Sequence, residues 1–321
     1  MSASVKVQQV PSSIQSSESE NKAMSNVVKL NRLTKTYGSV TAVNDVSFAL
    51  DADKIYGLLG RNGAGKTTIM QLLTAQIFPT SGDVQVFGEH PYENSRVLSQ
   101  VCFIKESQKY PNNLRVRDVL DLSARFFPNW DQDYALTLVK DFRLPLERKM
   151  KALSRGMLSS AGIIVGLASR APLTIFDEPY LGLDAVARSI FYDRLIADYA
   201  DHPRTIILST HLIDEVSRLL EHVLVIDQGR LILDVDADSL RGRAFTVIGA
   251  ASQVESYMEG KALLNREPLG SLVSATVMGN GDAGDRKQAE ALGLELAPVS
   301  LQKLIVHLTS ETSERKAAEV R

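Results

Sequence analysis

GRNGAGKT, Gly60–Thr67, is the stretch from which the rest of the chain can be read. It satisfies G-x-x-x-x-G-K-S/T at every position. Before it, KIYGLLG is a short apolar run ending in glycine, the pattern of a strand buried on both faces. After it, KTTIMQLLTAQIF places Ile69, Leu72, Leu73 and Ile77 at helical spacing, with Pro79 just past the end. A loop between such a strand and helix is suited to phosphate. Gly60, Gly63 and Gly65 let the backbone turn tightly and aim N–H groups at phosphate oxygens. The helix N-terminus adds favourable partial charge. Lys66 can reach the β- and γ-phosphates, and the Thr67 hydroxyl can bind Mg²⁺. Arg61, Asn62, Ala64 and Thr68 complete the nucleotide-binding set expected here.

LTIFDEP, residues 173–179, supplies a second half. Its apolar residues read as a buried strand with Asp177 at the carboxyl end, where ligands bind in open α/β sheets. Asp177 is placed to hold the Mg²⁺ shell, and Glu178, next along, to polarise an attacking water. TIILSTH and VLVIDQGRLIL add further buried strands, the latter folded around Gln228-Gly229. Buried strands alternating with helices predict a parallel α/β core. VVKLNRLTKTY and TAVNDVSFAL alternate apolar and polar residues, as half-buried antiparallel strands do. Residues 100–165 lack strands after their first few positions and read as a helical subdomain.

Beyond this unit, expected over 27–238, the pattern changes. AFTVIG, LLNREPLG, LVSATVM and LELAPV read as strands, SQVESYMEG and DRKQAEALG as helices. The order β-α-β-β-α-β predicts a small ferredoxin-like α+β domain over 239–311, closed by a helix at LQKLIVHL. Residues 1–26, rich in Ser, Gln and Glu, read as a disordered tail, and 312–321 as a polar one.

The bulk properties narrow the setting. A net charge of −2 over 321 residues gives no broad pull toward nucleic acid, and no nucleic-acid partner is expected. The single cysteine, Cys102, excludes an internal disulfide. No apolar run approaches the roughly 20 residues needed to span a bilayer. The first residues have no apolar stretch of the secretory kind. The chain is therefore expected in the cytoplasm, at the inner face of the membrane only through a partner.

GRNGAGKTT, LSRGM, FDEPYLGLD and STH, in that order, resemble the ATP-binding subunits of ABC transporters over residues 27–235. FFPNWD followed by LSRGM is similar to the branch that drives ABC-2 type exporters. The resemblance implies a P-loop NTPase core with an antiparallel β subdomain and a helical subdomain. It also implies ATP with Mg²⁺, a separate transmembrane permease subunit, and a homodimer or a heterodimer with a related ATP-binding subunit. In the family an aromatic at the Tyr37 position stacks on adenine, and a histidine at the His211 position contacts the γ-phosphate. Asp184 matches the loop that crosses to the partner subunit. An ungapped alignment of VCFIKESQKYPNN puts Glu106 at the family's glutamine position, where it meets the metal; Gln108 is the alternative. The family pattern Leu-Ser-Gly-Gly-Gln reads here as Leu153, Ser154, Arg155, Gly156 and Met157. Ser154 and Gly156 keep the contacts to a partner-held ATP, and Arg155 adds a charge suited to an anion. The competing reading is a soluble ABC-type ATPase acting on ribosomes or DNA. The single motif set, the absence of sustained heptads and the acidic balance weigh against it.

Overall fold

The alternation in the first ordered segment produces a three-stranded antiparallel sheet. In the computed structural model, which describes residues 26–106 and 108–307, β1 (Asn26–Tyr37) lies between β2 (Val40–Asp51) and β4 (Ser81–Val86). Asn26, read from the sequence as tail, opens β1. Residues 1–25 and the polar tail at 312–321 lie outside the described residues.

A six-stranded sheet forms the centre. Its order is β5 (Val101–Ile104), β6 (Leu173–Asp177), β7 (Thr205–Thr210), β3 (Ile55–Leu59), β8 (His222–Asp227) and β9 (Arg230–Asp236). Neighbours run parallel except β8 and β9, which turn through Gln228 and Gly229, both at positive φ. Every residue of β3, β6 and β7 is buried, because both sheet faces are covered. Side chains alternate between two cores. Ile55, Leu59, Phe176, Ile206 and Leu208 join the helical side. Tyr56, Leu58, Ile175 and Ile207 join the side that holds the antiparallel sheet and α1 (Lys66–Leu73).

The helical expectation for residues 100–165 is met by α2 (Val116–Phe126), α3 (Gln132–Asp141) and α4 (Arg155–Ala168), which follow β5. α4 is apolar enough to sit directly on the sheet. A β-carbon on Gly166 would lie 2.4 Å from the Phe176 ring, so glycine sets how closely α4 approaches β6. α5 (Ala185–Asp201) packs behind β6 through Phe191, whose ring meets Phe176 edge-on at 5.4 Å.

Two sequence expectations are corrected. The helix after the phosphate loop ends at Leu73, short of Ile77. Ala75, at φ +53°, donates to the Leu72 carbonyl and Gln76 to that of Gln71, the paired bonds of a left-handed helix stop. The helix beginning at 301 does not close the small C-terminal unit. Its Leu301, Leu304 and Ile305 enter the core of the helical side, and the Gln302 amide donates to Asp214 Oδ1 at 3.1 Å.

The C-terminal strands form a sheet of their own. Its order is β11 (Leu263–Leu269), β12 (Leu272–Met278), β10 (Ala244–Gly249) and β13 (Glu295–Pro298), antiparallel throughout. With α6 (Ala251–Met258) and α7 (Ala283–Ala291) in the connections, this is the ferredoxin-like order, around a separate core that includes Phe245, Val247, Tyr257 and Val277.

Phe176 touches both layers of the helical core. Phe176→Ala should destabilise the chain by about 3–5 kcal/mol, read from urea unfolding; a loss below about 1 kcal/mol would contradict this packing.

Candidate active site

The phosphate loop leaves β3 at Leu59 and is fixed from two sides. A β-carbon on Gly60 would stand 2.2 Å from the Ile226 carbonyl oxygen, and one on Gly65 2.4 Å from that of Ala42. Gly60, Gly63 and Gly65 all have positive φ. The Gly229 amide donates to the Ala64 carbonyl at 2.9 Å, and the Asn44 amide to the Gly229 carbonyl at 2.8 Å. Gly65 carries no side chain to cap α1, so no side chain competes for the first-turn amides that the motif offers to an anion. Asn62, Gly63, Ala64, Gly65, Lys66, Thr67 and Thr68 line a cavity of about 430 Å³. Glu106, Asp177, Glu178 and His211 line it too.

The sheet register brings these groups together. Asp177 pairs with Ser209 and Leu59 with Thr210, so β3, β6 and β7 end at one edge. Lys66 Nζ donates to the carbonyls of Gly60, at 2.8 Å, and Arg61, at 3.3 Å. It stands 3.8 Å from Glu178 Oε1. Burial pulls the Lys66 ammonium below its ordinary value, and Glu178 and Asp177 oppose that. Thr67 Oγ1 donates to Asp177 Oδ2 at 2.8 Å, while Asp177 Oδ1 is buried and has no hydrogen-bond partner among the described residues. Burial pushes the Asp177 carboxyl up, against the Thr67 hydroxyl. Glu178 has φ +49°, a region that costs a residue with a β-carbon on the order of 1–2 kcal/mol. Its Oε2 faces His211 Nδ1 at 2.8 Å, and its Oε1 is buried with no hydrogen-bond partner among the described residues.

The remaining predicted residues lie apart from this cavity. Tyr37 is exposed at the end of β1, with Lys35 Nζ 5.0 Å from its ring centre. Ser154 caps α4, its hydroxyl accepting from the Met157 amide at 3.3 Å. Asp184 caps α5 by accepting from the Ala187 amide at 2.8 Å. Both are exposed. Gly156 does permit a close approach, to its own chain: a β-carbon there would lie 2.5 Å from the Gly182 carbonyl oxygen. Arg155, read as a group for an anion, pairs with Glu106 Oε1 at 3.1 Å. Gln108 lines a neighbouring cavity of about 320 Å³, which Glu106 also borders.

Sequence pattern alone gives Tyr180 no role. It is buried, and its hydroxyl donates to Glu178 Oε2. A bulky phenol directly after Asp-Glu-Pro was the available signal, but only the fold brings Thr210 and His211 against it.

A family profile described as ABC transporter matches residues 43–181. A second, described as AAA domain, putative AbiEii toxin, Type IV TA system, matches residues 146–217. The chain is 34% identical over 224 residues to the bacitracin transport ATP-binding protein BcrA of Bacillus licheniformis, covering 68% of this chain and 73% of that one. It belongs to the ATP-binding subunits of ABC transporters. The Nod factor export ATP-binding protein I of Ralstonia nicotianae is 33% identical over 220 residues, covering 64% of this chain and 66% of that one. A solved structure titled "Structure of ATP binding subunit of ABC transporter" aligns with TM-score 0.61 at 25% identity, covering 67% of this chain and 91% of that one.

Function follows at the level of the family. The chain is an ABC ATPase that binds and hydrolyses ATP, and these relatives give no support to a ribosome- or DNA-acting ATPase. Among the described residues of this ABC subunit, no helix is long and apolar enough to cross a membrane.

The buried carboxylate of Asp177 predicts a trade between stability and function. Its folded-state value is raised, so the folded chain holds the proton more tightly than the unfolded one. That contribution is lost as pH rises through the raised value, and at neutral pH the ionised group destabilises the fold. Asp177→Asn should raise the melting temperature of the nucleotide-free chain in EDTA at pH 7. The gain should shrink as pH falls into the carboxylate range. A lower melting temperature at pH 7 would contradict the assignment.

Proposed function

We propose that this ABC subunit hydrolyses Mg²⁺-bound ATP between two chains meeting head to tail, and so drives a separate permease of the ABC-2 exporter type. Each of two sites joins the phosphate loop of one chain to the Ser154–Gly156 loop and Asp184 of the other. The partner chain is a second copy or a related ATP-binding subunit. The assembly lies on the cytoplasmic face of the membrane, and the permease sets the cargo.

One observation carries this reading. Lys66, Thr67, Asp177, Glu178 and His211 converge on one cavity, whereas Ser154 and Asp184 are exposed outside its lining. Half of the family's nucleotide-contacting set is gathered, and the other half is turned outward, where a second chain can use it. Export is supported by the Nod factor export relatives.

The oxygen donors fit Mg²⁺. The Thr67 hydroxyl and the Asp177 carboxylate, whose Oδ1 has no partner, are hard ligands at the right end of the sheet. Glu106 offers a third carboxylate on the same cavity, tempered by its pairing with Arg155. Bound Mg²⁺ supplies charge neutralisation on the phosphate oxygens. Lys66, drawn away from the loop carbonyls, pairs with the β- and γ-phosphates. Loop amides and His211 hold the γ-phosphate, and exposed Tyr37 stacks on adenine. Glu178 Oε1 takes a proton from water as the water oxygen attacks the γ-phosphorus; the bond to the bridging oxygen breaks and ADP leaves.

Glu178→Gln should lower hydrolysis by about 10²–10⁴-fold while preserving ATP binding. The variant should run as a dimer on size exclusion with ATP and Mg²⁺; a monomer there would contradict the assignment. The tagged chain, expressed with its native neighbours and extracted in detergent, should bring down a multi-span membrane protein in stoichiometric amount. Recovery with ribosomes or DNA instead would overturn the transport reading.

A further inference from the structure

Tyr180 occupies the centre of a hydrogen-bond network that no role given above uses. It is 2% exposed, between the end of β6 and the end of β7. Its oxygen accepts from Thr210 Oγ1 at 2.8 Å and from the His211 amide at 3.0 Å. Thr210 is itself fixed, its Oγ1 accepting from the Leu212 amide at 2.9 Å. His211 Nδ1 also stands 3.2 Å from the phenol oxygen, and with these donors around it both of its lone pairs are occupied. Its single proton points to Glu178 Oε2. Burial and the neighbouring Glu178 push the phenol well above its ordinary value, so it remains a donor.

The consequence falls on Glu178. Oε2 receives the Tyr180 hydroxyl and stands 2.8 Å from His211 Nδ1, a contact that puts the ring proton on Nδ1. The His211 ring meets the Tyr180 ring edge-on at 5.7 Å, which restricts both. Oε1, by contrast, accepts no hydrogen bond among the described residues and stands 3.8 Å from Lys66 Nζ, on the side where Glu178 and Lys66 both line the cavity. The two oxygens of one carboxylate are thus made unequal, one saturated and one with its hydrogen-bonding capacity unused.

We infer that Tyr180 is a positioning residue for ATP hydrolysis, whose hydroxyl holds Glu178 Oε2 so that Oε1 is the oxygen presented to the attacking water. This inference rests on the proposed role of Glu178 as the group that takes the water proton. A general base acts only within hydrogen-bond reach of its proton, so a carboxylate free to rotate spends less time in the productive geometry. Tyr180 also ties Glu178 to Thr210 and His211, and couples the carboxylate to the end of β7.

The test is a double-mutant cycle in the full chain with Mg²⁺ and ATP, using Tyr180→Phe, Glu178→Gln and the pair. Tyr180→Phe should lower kcat about tenfold, with KM for ATP within about twofold of wild type. In the Glu178→Gln background the same change should alter the residual single-turnover rate by less than about twofold. A wild-type kcat in Tyr180→Phe would overturn the inference. So would an equal loss in both backgrounds, the signature of a merely structural role. If Glu178→Gln alone keeps the wild-type rate, the role of Glu178 fails first, and the cycle identifies that separately. Should Tyr180→Phe lower the melting temperature too far for assay, Thr210→Val removes the donor that orients the phenol. It should lower kcat about threefold with the same dependence on Glu178; an unchanged kcat there would overturn the inference equally.

Discussion

The active site depends on the close approach of two backbone carbonyls, those of Ile226 and Ala42, to the phosphate loop. Neither Gly60 nor Gly65 has room for a β-carbon against them, at 2.2 and 2.4 Å. The contact binds together three parts of the chain far apart in sequence: the start of β2, the loop after β3, and the β8–β9 turn, through Asn44, Ala64 and Gly229. Once the loop is pinned there, the parallel register does the rest. Leu59 pairs with Thr210 and Asp177 with Ser209, so the residues that follow each strand leave the sheet at its carboxyl edge. Lysine, two carboxylates and histidine meet because the strands are parallel and in register, with no long-range side-chain search required.

That convergence runs against the fold's own stability. Lys66, Asp177 and Glu178 are all buried, two carboxylate oxygens lack hydrogen-bond partners, and Glu178 adopts a backbone conformation that side chains disfavour. Strain and unsatisfied charge of this kind persist only where the surroundings over-determine them. Here the surroundings are two cores, one on each face of a sheet whose central strands are buried at every residue. The sheet is packed on both faces while its carboxyl edge carries buried groups with unused hydrogen-bonding capacity.

Much of this was legible in the sequence, for identifiable reasons. The phosphate loop could be read because its spacing encodes the backbone requirement itself, and β3, β6 and β7 because strands buried on both faces read as short, mostly apolar runs. The legibility stopped where an element's partner mattered. Ile77 continues a helical pattern, but the chain leaves the helix at Ala75 through backbone bonds that periodicity cannot register. LQKLIVHL has an apolar face, yet only the fold reveals that its core includes Ile213 and Val216, away from the nearer sheet. Gly156, in the first turn of α4, meets the Gly182 carbonyl of its own chain, a contact that no local pattern encodes. Tyr180 reads as an unremarked aromatic until Thr210 and His211 are brought against its hydroxyl.

Two of the three departures from the family pattern, Glu106 and Arg155, have a common physical account although they lie far apart along the chain. Aligned without a gap, the family's neutral glutamine and neutral glycine fall on Glu106 and Arg155, whose side chains pair at 3.1 Å. The side chains are 45% and 67% exposed, so the ion pair contributes little stability, about 0–1 kcal/mol. Its importance is the placement of charge. Glu106 alone would add a negative charge to a cavity built for phosphate, and Arg155 alone a positive one beside the Ser154 cap. Paired, they carry no net charge, as the residues they replace carry none. The arginine stem also packs on Gly182, whose absent β-carbon would stand 2.9 Å from Arg155 Cγ, and this holds the guanidinium on the Glu106 side. Two substitutions that would each disturb a phosphate site are consistent with a working one because they occur together, and because the fold brings residues 49 positions apart into contact.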